Sequence, residues 1–281
     1  MTIKKAVVTA MIAGAMCLNA ASFVNGNFET GDASGWTIGG GYRGNVLNPN
    51  LDAKDLLPGG SLYSASVAAG HSSIVTAGLD PNTGNQLNRV YSGDFSWRVE
   101  DLTIGGYASV ISQKVDNYSD AEIFFAWAAV LEAQHGQTDA ATMKIFLRDL
   151  TIGDVLISRE YNAASNQSGV DPRFRYENTT GFFWTPWQIE QLTLPADRLG
   201  HSFELSVLAS DCEPTGHAGY LYLDGFGAVA PPGATTPEPS TFFLMAAGFG
   251  VVGLGLRRRR LAAAVVNHSD AERTRNETEN A

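Results

Sequence analysis

Cysteine is nearly absent from this chain: of two, Cys17 falls in an apolar N-terminal stretch and only Cys212 lies in the body. A disulfide framework is thereby excluded, and an exported domain of this length must hold together on its apolar core. Cys212 is left as a free thiol, an intermolecular partner or a small buried residue. Met16 precedes Cys17 where a lipoprotein signal needs a small residue, so Cys17 is not read as a lipid attachment site. Basic residues are also scarce, 19 Lys and Arg against 29 Asp and Glu, and four of the 19 are bunched at the C-terminal end. No basic stripe remains to meet a phosphate backbone, which excludes nucleic acid as a partner. Catalytic signatures are missing too. His71, His135, His201, His217 and His268 form no H-E-x-x-H pair, and there is neither a G-x-S-x-G elbow nor a phosphate-binding glycine loop. Cys212 and His217 are close in sequence, but two soft ligands do not make a zinc site. Carboxylates are so many that a pair at glycosidase spacing arises by chance. The chain reads as a non-enzyme.

Long helical periodicity is lacking as well, and short apolar runs take its place. The 30 glycines, with Asn and Asp, punctuate these runs at strand length. Strands are expected at Phe95–Val99, Ala108–Val115, Ile123–Val130, Met143–Leu147, Val155–Tyr161, Trp187–Leu194, Phe203–Leu208 and Tyr220–Phe226. The alanines of Ile123–Ala133 also allow a helix, and the flanking aromatics favour strand. Eight such pieces on short connections predict an all-β domain over 22–230, a two-sheet jelly-roll sandwich. An insertion, Gly39–Leu87, is rich in Gly, Asn and Ser. Its Asp80–Asn85 stretch is superficially like a calcium loop with the end reversed, and is read as a solvent turn.

Both ends carry addresses. Lys4-Lys5, the apolar Ala6–Leu18 and the small Ala20, Ala21 and Ser22 describe a secretory signal peptide over 1–21, cleaved after Ala20 or Ala21. At the other end a linker, 231–240, contains Pro237-Glu238-Pro239. An apolar run, 241–256, follows and reads as a transmembrane helix at the short limit of what spans a bilayer. The basic cluster Arg257, Arg258, Arg259 and Arg260 then holds its C-terminal end in the cytoplasm, and 257–281 is read as cluster plus disordered tail. The body would face the periplasm.

Pro237-Glu238-Pro239, the short Gly-rich span and the arginines, in that order, resemble the PEP-CTERM protein-sorting signal of Gram-negative bacteria over about 236–260. The resemblance implies an exosortase-type sorting enzyme as partner, an inner-membrane stage facing the periplasm, and transfer to the cell surface or to the exopolysaccharide of a biofilm. Residues 261–281 continue past the point where such signals usually end.

The middle carries a second resemblance. Asn25-Gly26-Asn27-Phe28-Glu29 followed by Trp36, with Tyr220–Phe226 at the far end and Trp184-Thr185-Pro186-Trp187 between, is similar to galactose-binding-like jelly rolls, the fold of many carbohydrate-binding modules. The resemblance implies a structural Ca2+ where first and last strands meet, with Glu29 and Asp224 as matching acids and Asp94 as a third. Calcium takes roughly six to eight oxygens, so backbone carbonyls would complete it; turn hydrogen bonds are the other reading of these acids. Sugars stack their CH faces on exposed rings. Trp184 and Trp187, and Tyr42, Tyr63, Tyr91 and Tyr107, are candidates, against core packing. The expected function is thus an exported surface or matrix protein that binds polysaccharide without catalysis. A secreted carbohydrate-active enzyme and a self-associating structural protein are the alternatives.

Overall fold

A computed structural model describes residues 22–164 and 171–227. The signal peptide, the PEP linker, the apolar span and the basic cluster lie outside the described residues. Among the described residues no helix is long and apolar enough to cross a membrane.

Among the described residues, twelve strands form two antiparallel sheets. They are β1 (Thr37–Tyr42), β2 (Ser73–Thr76), β3 (Phe95–Val99), β4 (Tyr107–Val115), β5 (Glu122–Glu132) and β6 (Thr142–Asp149), then β7 (Asp154–Asn162), β8 (Arg175–Glu177), β9 (Phe182–Trp184), β10 (Gln188–Thr193), β11 (Phe203–Ser210) and β12 (Gly219–Gly227). One sheet has the order β1-β4-β11-β6-β7. The other runs β2-β3-β12-β5-β9-β8, with β10 also pairing β5. All eight expected strands are present, and Ile123–Ala133 supplies β5 rather than a helix.

The side-chain period of two explains the layering. Odd positions of β5, Ile123, Phe125, Trp127, Ala129 and Leu131, point between the sheets and meet Phe203, Leu205 and Val207 of β11. The even positions face outward and are still buried. Ala128 and Val130, with Tyr220 and Tyr222 of β12, pack under Leu87 and Trp184. On the opposite sheet the outward Ala108, Val110 and Leu208 pack under Leu51, Ala53 and Leu56. The long insertion supplies both covers: two short helices, α1 (Ala53–Leu56) and α2 (Ala65–Gly70), lie on the five-stranded sheet, and the 80–90 stretch lies on the other. Asp80 is not in a solvent turn. It is buried, and its Oδ2 accepts from the hydroxyls of Tyr220 and Tyr222, each at 2.8 Å. The pleat gives the reason: without a polar anchor the two outward tyrosines would bury unpaired hydroxyls.

The chain ends of the domain meet as expected. Phe226 donates its N–H to the Gly26 carbonyl at 2.8 Å. A Cβ on Gly26 would fall 1.6 Å from the Phe226 oxygen, so only glycine fits this crossing.

Candidate functional site

Glu29 and Asp224 converge on one turn. Asp224 Oδ2 accepts the N–H groups of Tyr91 and Ser92 at 2.9 and 3.0 Å, and its Oδ1 accepts that of Gly225. The Glu29 carboxylate takes the N–H of Asp94 on both oxygens and that of Phe95 on Oε1. Asp94 itself is exposed. The geometry is that of two carboxylates capping the Tyr91–Phe95 turn from either side, with N–H donors where a calcium ion would need carbonyl oxygens. The three acids are not among the clusters whose ligand atoms gather within 4.8 Å of one another. Among the described residues those clusters are His135, Cys212 and His217, and His71, Glu100 and Asp101.

The two tryptophans part company. Trp184 is only 2 % exposed, packed on the outer face of the seven-stranded sheet over Ala128 and Val130, with the Arg175 guanidinium 5.1 Å over its ring. It cannot stack a sugar, and this corrects the expectation. The cause is the outward apolar face of β5, which needs a large lid. Trp187 is half-buried against Tyr91 and Tyr222 and donates its ring N–H to the Asn88 carbonyl. Tyr42 is half exposed, edge-on to Tyr107.

A feature that motif reading missed lies on the outer face of the five-stranded sheet. Where the insertion stops covering that face, three adjoining depressions of about 250, 360 and 220 Å³ form a trough across β7, β6 and β11. Alternation along β6 directs Lys144, Phe146 and Arg148 into it. Lys144 pairs with Glu160 of β7 at 3.1 Å. Arg148 lays its guanidinium 4.5 Å from the Phe146 ring centre and donates to Ser206 of β11. Asp52 and Lys54 form the wall on the insertion side. The signal in the sequence was a pair of basic residues, Lys144 and Arg148, on either side of Phe146 at alternate places of a strand whose intervening residues, Ile145 and Leu147, are apolar. Such a surface offers donors and acceptors in pairs beside an aromatic face, which is what a polyhydroxylated chain requires.

Buried acids set the electrostatics elsewhere. Glu100 has no exposed surface, and burial pushes its carboxyl up to about 8, only partly offset by the Ser109 hydroxyl and the Asp101 N–H. Burial, with Glu100 nearby, likewise pushes Asp211 up to about 8, and Asp211 Oδ1 has no hydrogen-bond partner. Asp224 is raised to about 7, again by burial. These carboxyls are protonated in the folded chain at pH values where the unfolded chain has already released its protons. Their contribution is therefore full below about pH 4 and lost as pH rises towards 8. The thermal midpoint is expected to fall from pH 5 to pH 9, and Glu100→Gln is expected to flatten that slope. A midpoint that rises over this interval contradicts the assignment.

A family model described as the PEP-CTERM protein-sorting motif matches residues 235–260. The chain therefore carries this motif, which implies export and a membrane-anchored sorting signal. No curated protein matches the chain. Among solved structures, the chain is similar to TmCBM61 in complex with β-1,4-galactotriose, at 13% identity over 73% of this chain and 95% of that one, with a TM-score of 0.39. It is also similar to Caldicellulosiruptor saccharolyticus CBM27-1 in complex with mannohexaose, at 11% identity over 72% and 94%, with a TM-score of 0.35. The K3 cleaved adhesin domain of Lys-gingipain from Porphyromonas gingivalis shows 10% identity over 73% and 97%, with a TM-score of 0.31.

Proposed function

We propose that this is an exported, non-enzymatic surface or matrix protein that grips polysaccharide in the trough of its five-stranded sheet. The observation that carries the proposal is the row of Lys144, Phe146 and Arg148 along the trough, Phe146 and Arg148 partly exposed and Lys144 buried against Glu160, on a sheet face that is otherwise roofed by the insertion. The trough is a shallow channel, suited to a chain lying along it. Its acids and bases are largely paired with one another, which suits the recognition of neutral hydroxyls. Affinity electrophoresis in the producer's exopolysaccharide tests it. Arg148→Ala and Glu160→Ala are each expected to weaken retention about tenfold, the worth of one well-made polar contact. Tyr176→Ala, on a strand of the other sheet, is expected to change nothing. Equal retention of all three variants would remove the trough from consideration. Release of new reducing ends would instead favour a carbohydrate-active enzyme.

The sorting part of the proposal is that the chain stands in the inner membrane with its domain in the periplasm until an exosortase-type enzyme cuts near Pro237-Glu238-Pro239. The motif match supports this, together with the four arginines behind the apolar run. Mass spectrometry of protein released from the cell surface is expected to find a C-terminus near residue 238. Released protein that still ends at Ala281 would overturn it.

A further inference from the structure

Three ligating side chains meet at one end of the sandwich, and none of them lines the trough. His135 lies in the loop from β5 to β6, and Cys212 and His217 lie in the loop from β11 to β12. Because β5 and β12 belong to one sheet and β6 and β11 to the other, the cluster ties the two sheets together. His135 Nε2 is 2.9 Å from His217 Nδ1, which is 3.6 Å from Cys212 Sγ. All three ligand atoms lie within 4.8 Å of one another.

These separations can be compared with a coordination polyhedron. Zinc bonds of about 2.0 Å to nitrogen and about 2.3 Å to sulfur make tetrahedral edges of about 3.3 Å between nitrogens and about 3.6 Å between nitrogen and sulfur. The edge between Cys212 and His217 already has that length, the nitrogen edge needs to open by about 0.4 Å, and the remaining edge between His135 and Cys212 lies within 4.8 Å.

The backbone around the cluster is arranged for the same end. The N–H groups of Gly216 and His217 both point at Cys212 Sγ from 3.2 Å and hold the sulfur in place, while burial pushes the thiol's pKa above its ordinary value, so that without an ion the group is a thiol. The loops that present the ligands are also strained. His135 has φ of +69° and Thr215 has φ of +76°, a left-handed conformation that a β-branched residue rarely adopts. Strain of this kind persists where the surroundings demand one side-chain placement. Cys212 is buried while both imidazoles reach the surface, so an ion has a path in from solvent.

We propose that His135, Cys212 and His217 form a binding site for a borderline-soft transition ion of the zinc type, with three protein ligands and a fourth position open to water. One sulfur and two nitrogens select zinc or its neighbours over calcium or magnesium. Binding releases the proton of the Cys212 thiol as the metal–sulfur bond forms. The imidazole that donates in the His135–His217 hydrogen bond moves its ring proton to its other ring nitrogen through solvent, so both facing nitrogens can ligate and one proton is released per ion.

The test uses the full-length chain, free of any histidine tag, reduced and stripped of metal. Titration with Zn2+ is expected to saturate at one equivalent with release of a proton, and Co2+ is expected to produce sulfur-to-cobalt charge-transfer absorption. Cys212→Ser is expected to abolish that absorption. His135→Gln, at a half-exposed loop position, is expected to weaken Zn2+ binding by roughly 100-fold or more, beyond the loss typical of an outer-shell partner. His71→Gln, in the other cluster, is expected to bind as the parent does. Absence of saturable Zn2+ binding overturns the site, leaving only a chain of hydrogen bonds from thiol to imidazole. Undiminished binding in His135→Gln overturns it equally, and decides the matter alone if Cys212→Ser does not fold.

Discussion

Replacing Arg43 by alanine is expected to remove about 3–5 kcal/mol of folding stability and to lower the thermal midpoint by roughly 10 °C. Arg43 has no exposed surface. Its Nη1 donates to the Asp211 carbonyl at 2.7 Å and to Ser210 Oγ, and its Nη2 donates to the Val46 carbonyl and to Asn48 Oδ1, each at 2.7 Å. Asn48 passes the connection on, donating to the carbonyls of Gln137 and Ala140. One guanidinium thus joins the start of the insertion, the end of β11 and, through Asn48, the β5–β6 loop. Burial lowers its pKa to about 10, which leaves it charged at neutral pH and dependent on these acceptors. Alanine would strand buried oxygens with no donor and leave a cavity in their midst. Lysine keeps the charge but lacks the planar fork, so Arg43→Lys is expected to recover only a minor part. Adding Asn48→Ala to Arg43→Ala should cost less than Asn48→Ala alone, because the bond they share is already gone. Denaturant unfolding measures each term. A loss below about 1 kcal/mol for Arg43→Ala would mean that water replaces the guanidinium and that the network contributes little.

Much of this architecture was legible because strands declare themselves by period. Phe95–Val99 was readable to the residue, and the other seven expected strands were off only at their ends. What stayed hidden was hidden for physical reasons. The Thr37–Tyr42 strand is half glycine, and glycine has no strand preference to read. Its fitness for that place comes from segments that pack on it from elsewhere. Arg43, flanked by Tyr42 and Gly44, looks like an ordinary surface residue until a loop some 170 positions away supplies its acceptors. The pairing of Glu29 and Asp224 across the Tyr91–Phe95 turn was legible, since the first and last strands of a sandwich come together. That their oxygens face backbone N–H groups was not, because turn geometry is absent from composition. Cys212 and His217 were visible as two soft ligands. The third, His135, is distant in sequence, and only the side-by-side placement of β5 and β12 brings it in.

Gly41 gives the sharpest expectation about the insertion. A Cβ built there would lie 1.8 Å from the Leu62 carbonyl oxygen, with Leu62 and Tyr63 running directly over β1. Gly39 is under similar pressure from the Leu56 carbonyl at 2.4 Å, while Gly40 accepts the N–H of Ser64 at 2.8 Å. The obstacle in both clashes is backbone, so no rotamer change relieves it; the covering segment must lift. Gly41→Ala is therefore expected to cost about 3 kcal/mol or more, at the upper end for overpacking, although alanine has the better intrinsic propensity. The damage should be local first. Limited proteolysis is expected to cut within residues 44–71 before the sheets open, because lifting the cover exposes α1 and α2 without unpairing β4 from β11. Gly70→Ala is the matched control. It is the same chemical change in the last turn of α2, with nothing within 4 Å of the added carbon, and is expected to be neutral or slightly stabilising. If the two substitutions proved equally mild, the insertion would have to ride loosely on the sheet. The trough, whose wall it forms through Asp52 and Lys54, would then have no fixed width with which to select a ligand.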